Sequence, residues 1–440
     1  MPPDLLVNAM LSTEEALRAI AGAQHVRPGG EGDFVGGVRG QLVVEPGNEQ
    51  ELSAVLRTAS EAGLRVAPRG GGTKVSWGNS PARVDLIVST ARLDKIIEHA
   101  WADLTVTVEA GCTMQNLQER LAQHGQRLAL DAMWSARATV GGVLSTNDSG
   151  VLRLRFGGLR DLIIGVTLAL PDGTLARSGG KVVKNVAGYD LPKLATGALG
   201  TLGVIARATF RLHALPLDTR TLSISGADLG EMQHCMLAIE DSQLAPSALQ
   251  LRLSPNAPAE VDVLFEGTPA GLAAQEAHLR ELVEPLHVVE NRGVENPAPE
   301  NPAGRNNAAA WTARERLWSF ASSEAVAKVS VLPAEIATAF DTVRRVASVH
   351  RAQWSAVMQA TGLGLLRLDG TAEALHASLE ELRAALERGG GSLAILRRPA
   401  DMPPLDAWGD AGDSLALMRA IKQQLDPRDT LNGGRFVGGI

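Results

Sequence analysis

Three glycine-rich segments, each beside a strand-like run of apolar residues, constrain the fold more than any other feature of this sequence. They are Pro68-Arg69-Gly70-Gly71-Gly72-Thr73-Lys74, then residues 139–150, then residues 197–205. Adjacent glycines let the backbone turn tightly and leave successive N–H groups open to an anion. One such segment alone could be simple turn chemistry, but three, spaced by about 70 and about 60 residues, predict an extended binding site built from several segments.

The first segment favours a diphosphate group as its ligand. Arg69 and Lys74 add positive charge there, and Thr73 adds a hydroxyl. The segment matches neither the G-x-x-x-x-G-K-[ST] phosphate loop nor the G-x-G-x-x-G dinucleotide fingerprint. The alternative for this first segment is a flexible turn, and the segment alone does not distinguish a diphosphate site from a turn.

The third segment runs into a strand. The main chain of Val204 and Ile205 there could form hydrogen bonds with the edge of a base.

Residues 41–130 alternate between strand and helix patterns with short connections, as α/β units do. A helix is predicted after Asn48, whose spacing to Glu51 is that of a capping box. A second helix is predicted after Thr113, with Gly125 beyond its end. Residues 131–160 are predicted to be irregular. Further strands are expected at 41–45, 64–68, 85–89, 105–109, 162–170, 174–177 and 204–212.

The character of the sequence changes at residues 214–216, and a second region follows. Apolar periodicity predicts its strands at 249–253, 261–265 and 393–396, and its helices near 271–283, 334–349, 371–388 and 413–425. The segment 291–310 is rich in Pro, Asn and Ala and is predicted to be a mobile surface loop.

Composition excludes several classes of protein. Two cysteines, Cys112 and Cys235, are too few for a four-ligand iron–sulfur cluster or a disulfide framework. The nine histidines show no metal-binding spacing, so we expect no metal site. A net charge of −7 without a basic run argues against nucleic acid.

No membrane segment or targeting signal is expected. The longest strongly apolar stretch, 162–170, is far shorter than the ~20 residues of a membrane helix. The first residues lack a charged region followed by an apolar run, so a secretory signal is not expected. We therefore expect a cytoplasmic protein, peripheral to the inner membrane at most, through its partners.

The order of the motifs resembles the FAD-binding domain of the vanillyl-alcohol oxidase (PCMH) family. The motifs are P-x-G-G-G-T, T-V-G-G…S-G, K-N-V-A-G-Y-D-L at 184–191 and G-T-L-G-V-I at 200–205. With the tail from Pro427 to Arg435, they are most similar to the branch that oxidises 2-hydroxy acids. Within that branch they resemble the FAD-binding E subunits of bacterial glycolate oxidase. The resemblance is dense over 41–216, thin over the second region, and returns at 425–436.

The resemblance implies an α+β fold, with a PCMH-type two-subdomain FAD-binding domain and an α+β cap domain. The implied division is an N-terminal extension at 1–32, the FAD-binding domain at 33–216, the cap domain at 217–405 with the loop 291–310, and a C-terminal segment at 406–440 that returns to the FAD domain.

The resemblance also implies which residues contact the cofactor. The first loop would wrap the diphosphate, 133–139 would follow the ADP and the flavin-linking portion, 146–149 would lie by the flavin or its ribityl chain, and 199–205 would meet the adenine side. The implied set is Pro68, Arg69, Gly70, Gly71, Gly72, Thr73, Lys74, Met133, Trp134, Ser135, Ala136, Arg137, Ala138, Thr139, Gly141, Gly142, Thr146, Asn147, Asp148, Ser149, Leu199, Gly200, Thr201, Leu202, Gly203, Val204 and Ile205. Residues 70–74 offer no histidine for a covalent link, so non-covalent FAD is implied.

The implied function is that of the FAD-binding subunit of a glycolate oxidase (glycolate dehydrogenase) complex. Such a subunit would oxidise glycolate or a related 2-hydroxy acid, or relay electrons. Its partners would be a D-type flavoprotein and an iron–sulfur subunit. The sequence lacks the H-x-G-D-G-N-x-H segment of catalytic D-type relatives, and no catalytic residue is assigned. The alternatives are a stand-alone FAD oxidase of another alcohol or sugar acid, and a non-catalytic flavin-binding subunit.

Several single residues allow two interpretations each. Tyr189, the one tyrosine of the chain, could lie at the flavin, but a half-buried packing role is slightly favoured. Cys112 is expected to be a small buried side chain rather than an activated thiol. Lys184 and Arg155 could face phosphates or a substrate carboxylate, or could be surface charges. The set Trp311, Arg314 and Trp318 has helical spacing, which favours core packing over an aromatic wall. Arg367 and Arg397 could clamp a carboxylate.

Overall fold

The computed structural model describes residues 13–180, 189–290 and 310–440. The segments 184–188 and 291–309, for which the sequence predicts a motif and a loop, lie outside the described residues. In chain order the first region contains α1 (residues 13–21), β1 (Val26–Pro28), β2 (Phe34–Val35), β3 (Val38–Val44), α2 (Glu49–Glu61), β4 (Val66–Arg69), β5 (Val84–Ser89), β6 (Ile96–Ala100), β7 (Thr105–Glu109), α3 (Met114–Ala122), β8 (Gln126–Arg127), α4 (Val140–Thr146), α5 (Arg153–Phe156), α6 (Leu159–Leu162), β9 (Ile163–Ala169), β10 (Leu175–Gly179), α7 (Leu191–Ala195), β11 (Val204–Arg211) and β12 (His213–Ala214).

The second region begins with β13, and its elements are β13 (Asp218–Gly226), α8 (Leu229–Asp241), β14 (Ala248–Leu253), β15 (Ala259–Gly267), α9 (Pro269–Leu282), β16 (His287–Glu290), α10 (Ala313–Arg316), β17 (Glu324–Ser330), α11 (Ile336–His350), β18 (Gln353–Gln359), β19 (Leu363–Asp369), α12 (Ala372–Arg388), β20 (Ser392–Arg397) and α13 (Leu415–Leu425).

Two five-stranded sheets form the first region. One has the order β1-β3-β5-β4 with β2 beside β3, and its β3–β5 and β4–β5 pairs are parallel. The other, β10-β9-β11-β7-β6, is antiparallel. The apolar side of α2 packs on the first sheet and that of α3 on the second, and the core beneath α2 also takes in Ala169, Val204 and Ala206 of the second sheet.

An eight-stranded antiparallel sheet, β16-β13-β15-β14-β18-β19-β17-β20, forms the second region. Helices α8, α9, α11 and α12 cover one face of it and bury the largest core. The opposite face packs on the first region, where Trp77 and Met133 meet Trp318, Val326 and Val357. The architecture is α+β, as predicted. In the described part of the chain, no helix is both long and apolar enough to cross a membrane.

Local signals in the sequence locate the starts of α2 and α3 correctly. The side chain of Asn48 accepts a hydrogen bond from the Glu51 N–H at 2.9 Å, and Thr113 caps α3 in the same way. The prediction that 131–160 is irregular is wrong in part, because α4, α5 and α6 lie there. Helix α4 forms despite two glycines because it packs closely: a Cβ at Gly141 would lie 2.8 Å from the Cβ of Ala110. Tertiary packing here overrides helix propensity.

Candidate functional site

The glycine loop begins where β4 ends, at the edge of a cavity of about 670 Å³. The backbone N–H groups of residues 70–74 donate no hydrogen bond to any other group in the described part of the chain. The loop lies directly against another backbone segment, since a Cβ at Gly71 would be 1.7 Å from the Arg137 carbonyl oxygen. Five successive residues whose N–H groups have no partner in the described chain thus line the cavity, in a loop that accepts no side chain at Gly71, and such a row of donors suits an anion.

The start of α4 forms a second wall of the cavity. Thr139 precedes this helix, and its hydroxyl accepts a hydrogen bond from the Gly142 N–H at 3.4 Å. Thr139, Gly141, Gly142, Ser145 and Thr146 all line the cavity. Glycines at these positions bring the backbone, rather than side chains, to the surface of the cavity.

The third wall precedes and includes the start of β11. Leu199 and Gly200 both have positive φ, at 52° and 72°. They turn the chain so that Gly203, Val204 and Ile205 also line the cavity. Three segments separated in sequence thus line one cavity.

A fourth segment, the tail 430–435, completes the cavity and is fixed by backbone pairing. The Val66 N–H donates to Thr430 O at 2.8 Å, and the Asn432 N–H donates to Val66 O at 2.9 Å. The Asn432 side chain donates to Leu199 O at 2.6 Å, which joins the tail to the third wall. Asn432 and Arg435 both line the cavity.

A buried lysine holds this tail in place. The Lys422 ammonium on α13 donates to Thr201 O and Leu431 O, each at 2.9 Å, and to the Asp426 carboxylate at 2.6 Å. Only 7% of Lys422 is exposed. These three hydrogen bonds join α13 to the tail and to the third wall of the cavity.

Two cations of the glycine loop pair with carboxylates within the chain, and each carboxylate also pairs with a second arginine, Asp33 with Arg27 and Asp148 with Arg314. Arg69 Nη1 lies 2.7 Å from Asp33 Oδ1, and Lys74 Nζ lies 3.1 Å from Asp148 Oδ2. Burial alone would raise the pKa of Asp148, but Lys74 and Arg314 outweigh it and hold that pKa below its usual range. Each carboxylate thus serves two cations, so pairing reduces the expected positive charge of Arg69 and Lys74 but does not cancel it.

A second cavity, of about 360 Å³, adjoins the first at the Lys74–Asp148 pair and lies between the two regions of the chain. Of the residues that line it, Arg153 and Arg314 are cationic, Lys328 is a further basic side chain, and Asp148 is acidic. Arg314 Nη1 lies 3.3 Å from Asp148 Oδ1. Burial and the neighbouring Arg153 lower the pKa of Lys328. The cavity has an excess of positive charge and suits a small anion.

Aromatic side chains lie between the two cavities and the eight-stranded sheet of the second region. The rings of Trp77 and Trp318 stack 6.3 Å apart, and Trp134 meets Trp318 edge to face at 5.1 Å. The Lys74 ammonium lies 5.3 Å from the centre of the Trp134 ring. These rings exclude water from the buried ion pairs, which strengthens the electrostatic interactions there.

The structure brings most of the predicted cofactor residues together. Sixteen members of the predicted set line the first cavity, and they are Pro68, Arg69, Gly70, Gly71, Gly72, Thr73, Lys74, Thr139, Gly141, Gly142, Thr146, Leu199, Gly200, Gly203, Val204 and Ile205. The second cavity takes Met133, Asn147, Asp148 and Ser149. The remaining members line neither cavity, and they are Trp134, Ser135, Ala136, Arg137, Ala138, Thr201 and Leu202.

Sequence reasoning missed several residues of the two cavities. Those of the first are Val75, Thr90, Ala110, Ser145, Asn432 and Arg435. The tail was part of the resemblance, but no role was drawn from it. In the second cavity, Arg153 and Lys328 were missed, because an isolated cation in a helix or strand gives no local signal.

Other candidates differ from the expectations. Tyr189 is 89% exposed, so the packing role favoured for it is wrong. The possible carboxylate clamp of Arg367 and Arg397 is occupied internally, since both face the buried Glu324. Arg155 donates to Ala245 O at 3.3 Å, on the surface.

Two further expectations concern single side chains. Cys112 is buried as predicted, and burial raises the pKa of its thiol to about 11. The helical spacing of Trp311, Arg314 and Trp318 is misleading, because α10 is a single turn from Ala313 to Arg316. Trp318 nonetheless packs in a buried cluster.

Comparisons with known proteins agree with this geometry. Residues 40–179 match the family model described as "FAD binding domain". D-lactate dehydrogenase of Archaeoglobus fulgidus is 35% identical over 211 residues, 48% of this chain and 46% of that protein. Glycolate oxidase subunit GlcD of Bacillus subtilis is 29% identical over 56% of this chain and 52% of that protein. The chain thus spans about half the length of these two relatives.

Two further comparisons extend over nearly the whole chain. D-2-hydroxyglutarate dehydrogenase of Xanthomonas citri pv. viticola is 26% identical over 89% of this chain and 88% of that protein. The crystal structure of p-cresol methylhydroxylase with substrate bound has a TM-score of 0.76 at 14% identity, covering 97% of this chain and 96% of that chain. The latter likeness concerns the fold alone, and it extends over both regions.

Proposed function

We propose that this chain, which belongs to the FAD-binding proteins of the PCMH type, oxidises glycolate or a related 2-hydroxy acid to the 2-oxo acid. The observation that carries the proposal is the pair of adjoining cavities, one lined by backbone donors and the other by cations. Relatives named as D-lactate, glycolate and D-2-hydroxyglutarate proteins support the substrate class.

The first cavity is the proposed cofactor site. Its fit rests on the donors of residues 70–74, which have no partner in the described chain, and on the close backbone contact at Gly71. Those donors would hold the diphosphate, and the walls at 139–146 and 199–205 would enclose the rest of a non-covalently bound dinucleotide. When bound, FAD supplies a two-electron acceptor for the hydrogen on the alcohol carbon.

The second cavity is the proposed substrate site. A 2-hydroxy acid carries one carboxylate, and Arg314 and Arg153 are placed to pair with it. Asp148 orients Arg314 and also holds Lys74 beside the first cavity. The Asp148 carboxylate contacts Lys74 of the first cavity and Arg314 of the second. A substrate bound to Arg314 would therefore lie next to the cofactor site.

Lys328 is the proposed acceptor of the substrate's hydroxyl proton. Its ammonium lies in a partly buried site near two guanidinium groups, and burial followed by Arg153 lowers its pKa. A neutral amine has a lone pair that can accept a proton, and positive neighbours favour that neutral form. No histidine lines the cavity in the described chain, so the amine would replace the imidazole usual in such a role.

The complex is also part of the proposal. Two buried cysteines supply no relay for electrons. We propose that the chain acts as a GlcE-type subunit, with a D-type flavoprotein and an iron–sulfur subunit as partners. Sequence similarity to the GlcD subunit supports membership of such an assembly.

The test is an anaerobic titration of the purified protein, alone and co-expressed with the two partner subunits. The flavin absorbance near 450 nm should be lost on adding glycolate, D-lactate or D-2-hydroxyglutarate, and acid precipitation should release the flavin. Arg314→Gln should raise the substrate concentration for half reduction by about 10-fold or more. Arg344→Gln is the matched control, because Arg344 is exposed on α11.

The possible outcomes separate the alternatives. Reduction by 2-hydroxy acids within the complex supports the proposal. Reduction of the isolated chain by another alcohol or sugar acid alone would indicate a stand-alone oxidase. A retained flavin that no 2-hydroxy acid reduces, even in the complex, would indicate a non-catalytic subunit and overturn the proposal.

A further inference from the structure

The cations around the first cavity differ in whether they contact a carboxylate of the chain. Arg69 is paired with Asp33 and Lys74 with Asp148. Arg435 is as deeply buried, at 3% exposed, yet no carboxylate within the described chain forms an ion pair with it. Burial alone lowers its pKa, to about 10, so the guanidinium stays charged at neutral pH.

The neighbours of Arg435 are carbonyl groups of the segment that follows the glycine loop. Its Nη2 donates to Val75 O and Trp77 O, each at 2.7 Å. Its Nε approaches Asn79 O at 3.4 Å, and its Nη1 approaches Asn432 Oδ1 at 3.5 Å. These contacts satisfy Nη2, but they leave Nη1 with one weak contact for two N–H donors.

An uncompensated buried charge is costly for a protein. Carbonyl dipoles reduce this cost, but they do not neutralise the charge. Arg435 lines the same cavity as the N–H groups of residues 70–74, which also await a partner. The cationic side chain and the row of backbone donors therefore suit the same kind of ligand, an anion in the first cavity.

We propose that Arg435 is the counter-charge for the diphosphate of the bound dinucleotide. This inference rests on the proposed cofactor site, but not on the proposed substrate. Arg435 has two parts in it: Nη2 fixes the carbonyls of Val75 and Trp77, which positions the chain just after the loop, and Nη1 faces the anion. Arg69 and Lys74, which the sequence suggests for this role, also line the cavity, but each already contacts a carboxylate of the chain, whereas Arg435 does not.

The test compares ligands that differ in phosphate. Affinities of the apoprotein for FAD, ADP, FMN and riboflavin are measured by calorimetry or flavin fluorescence for the wild type, Arg435→Gln and Arg435→Lys. Loss of one charge-assisted interaction predicts that Arg435→Gln weakens FAD and ADP by about 10- to 100-fold. Riboflavin, which has no phosphate, should bind Arg435→Gln and the wild type equally. Arg435→Lys should recover part of the loss, because it restores the charge without the forked donors.

Arg419→Gln is the matched control, because Arg419 is on α13 and bonds only to Gly438 O at 2.9 Å in the described structure. Thermal unfolding of each apoprotein shows whether the variant folds. Equal weakening of riboflavin and FAD would overturn the proposal, since Arg435 would then be a packing residue. An unchanged affinity for FAD and ADP would overturn it as well. Wild-type apoprotein that binds no FAD would instead refute the proposed cofactor site itself.

Discussion

Replacing Gly71 with alanine tests whether the glycine loop must lie where it does. The φ of Gly71 is not in the left-handed region, so alanine meets no backbone strain there. The obstacle is contact, because the new Cβ would lie 1.7 Å from Arg137 O and 2.8 Å from its carbonyl carbon. Real Cβ contacts do not fall below 3.0 Å, so the loop and the 131–138 segment must separate by about 1 Å or more.

The magnitude follows from the hydrogen-bond geometry. A donor at about 2.9 Å that moves by about 1 Å leaves the range of a useful hydrogen bond. Loss of one or two charge-assisted bonds, at about 1.5–3 kcal/mol each, raises the dissociation constant for FAD by about 10- to 100-fold or more. The crowding itself should lower the free energy of unfolding by about 1–3 kcal/mol.

The assay is a fluorescence titration of the apoprotein with FAD, with thermal unfolding of the same samples. Gly72→Ala is the control within the same loop: its Cβ would touch nothing nearer than Arg69 Cδ at 3.9 Å, although its φ is 71°. That variant should cost about 1–2 kcal/mol of stability from backbone strain and change FAD affinity less. Wild-type affinity in Gly71→Ala, or an equal loss in both variants, would refute the reasoning.

Two further predictions concern charges. The hydrogen bond from Arg27, helped by Gly30 and Arg69, holds the pKa of Asp33 well below its usual range. The ionised carboxylate therefore stabilises the folded protein at neutral pH. This stabilisation should decrease as the pH falls below about 3.8, the ordinary pKa of Asp, towards the pKa in the folded state. Asp33→Asn should therefore lower the unfolding temperature at pH 7 more than at pH 3, and an equal effect at both would contradict the ion pairs with Arg27 and Arg69. The buried pair Arg127–Glu266, with bonds of 2.7 and 2.6 Å, joins the two regions, so Arg127→Met should destabilise by about 3–5 kcal/mol. Adding Glu266→Gln removes the unpaired carboxylate, so the double variant should be more stable to thermal unfolding than Arg127→Met alone. A double variant less stable than Arg127→Met would show that the unpaired charge of Glu266 is not the cause of the loss.

The elements that sequence predicts best are those whose signals are local. Helix α2 follows from Asn48 and an apolar repeat that ends before Gly63, and β7 has the predicted bounds, Thr105 to Glu109. Alternation, caps and glycines act over a few residues, so one sequence suffices to find them. The glycine loop belongs to the same class, since its chemistry is written in adjacent residues.

The charge state of the site could not be predicted, because it depends on partners distant in sequence. From the sequence, Arg69 and Lys74 are both candidate phosphate ligands. The structure shows that Asp33 lies 2.7 Å from Arg69 and that Asp148 lies 3.1 Å from Lys74, and neither contact is visible in the sequence. Arg435 shows the reverse case: it is unremarkable in a tail, and its role depends on the absence of a carboxylate around it in the described fold. Neither circumstance leaves a pattern in the sequence.

The pairing of the tail with β4 has a consequence for the order of events during synthesis. Val66 is made early, yet its partners, Thr430 and Asn432, emerge from the ribosome more than 360 residues later. The sheets of the first region can form on the nascent chain, since domains fold as they are made. The flavin pocket cannot be finished until the tail has emerged. Acquisition of the cofactor is thus a late event in the maturation of this protein, and the chain must survive for a time with an open, unliganded cleft.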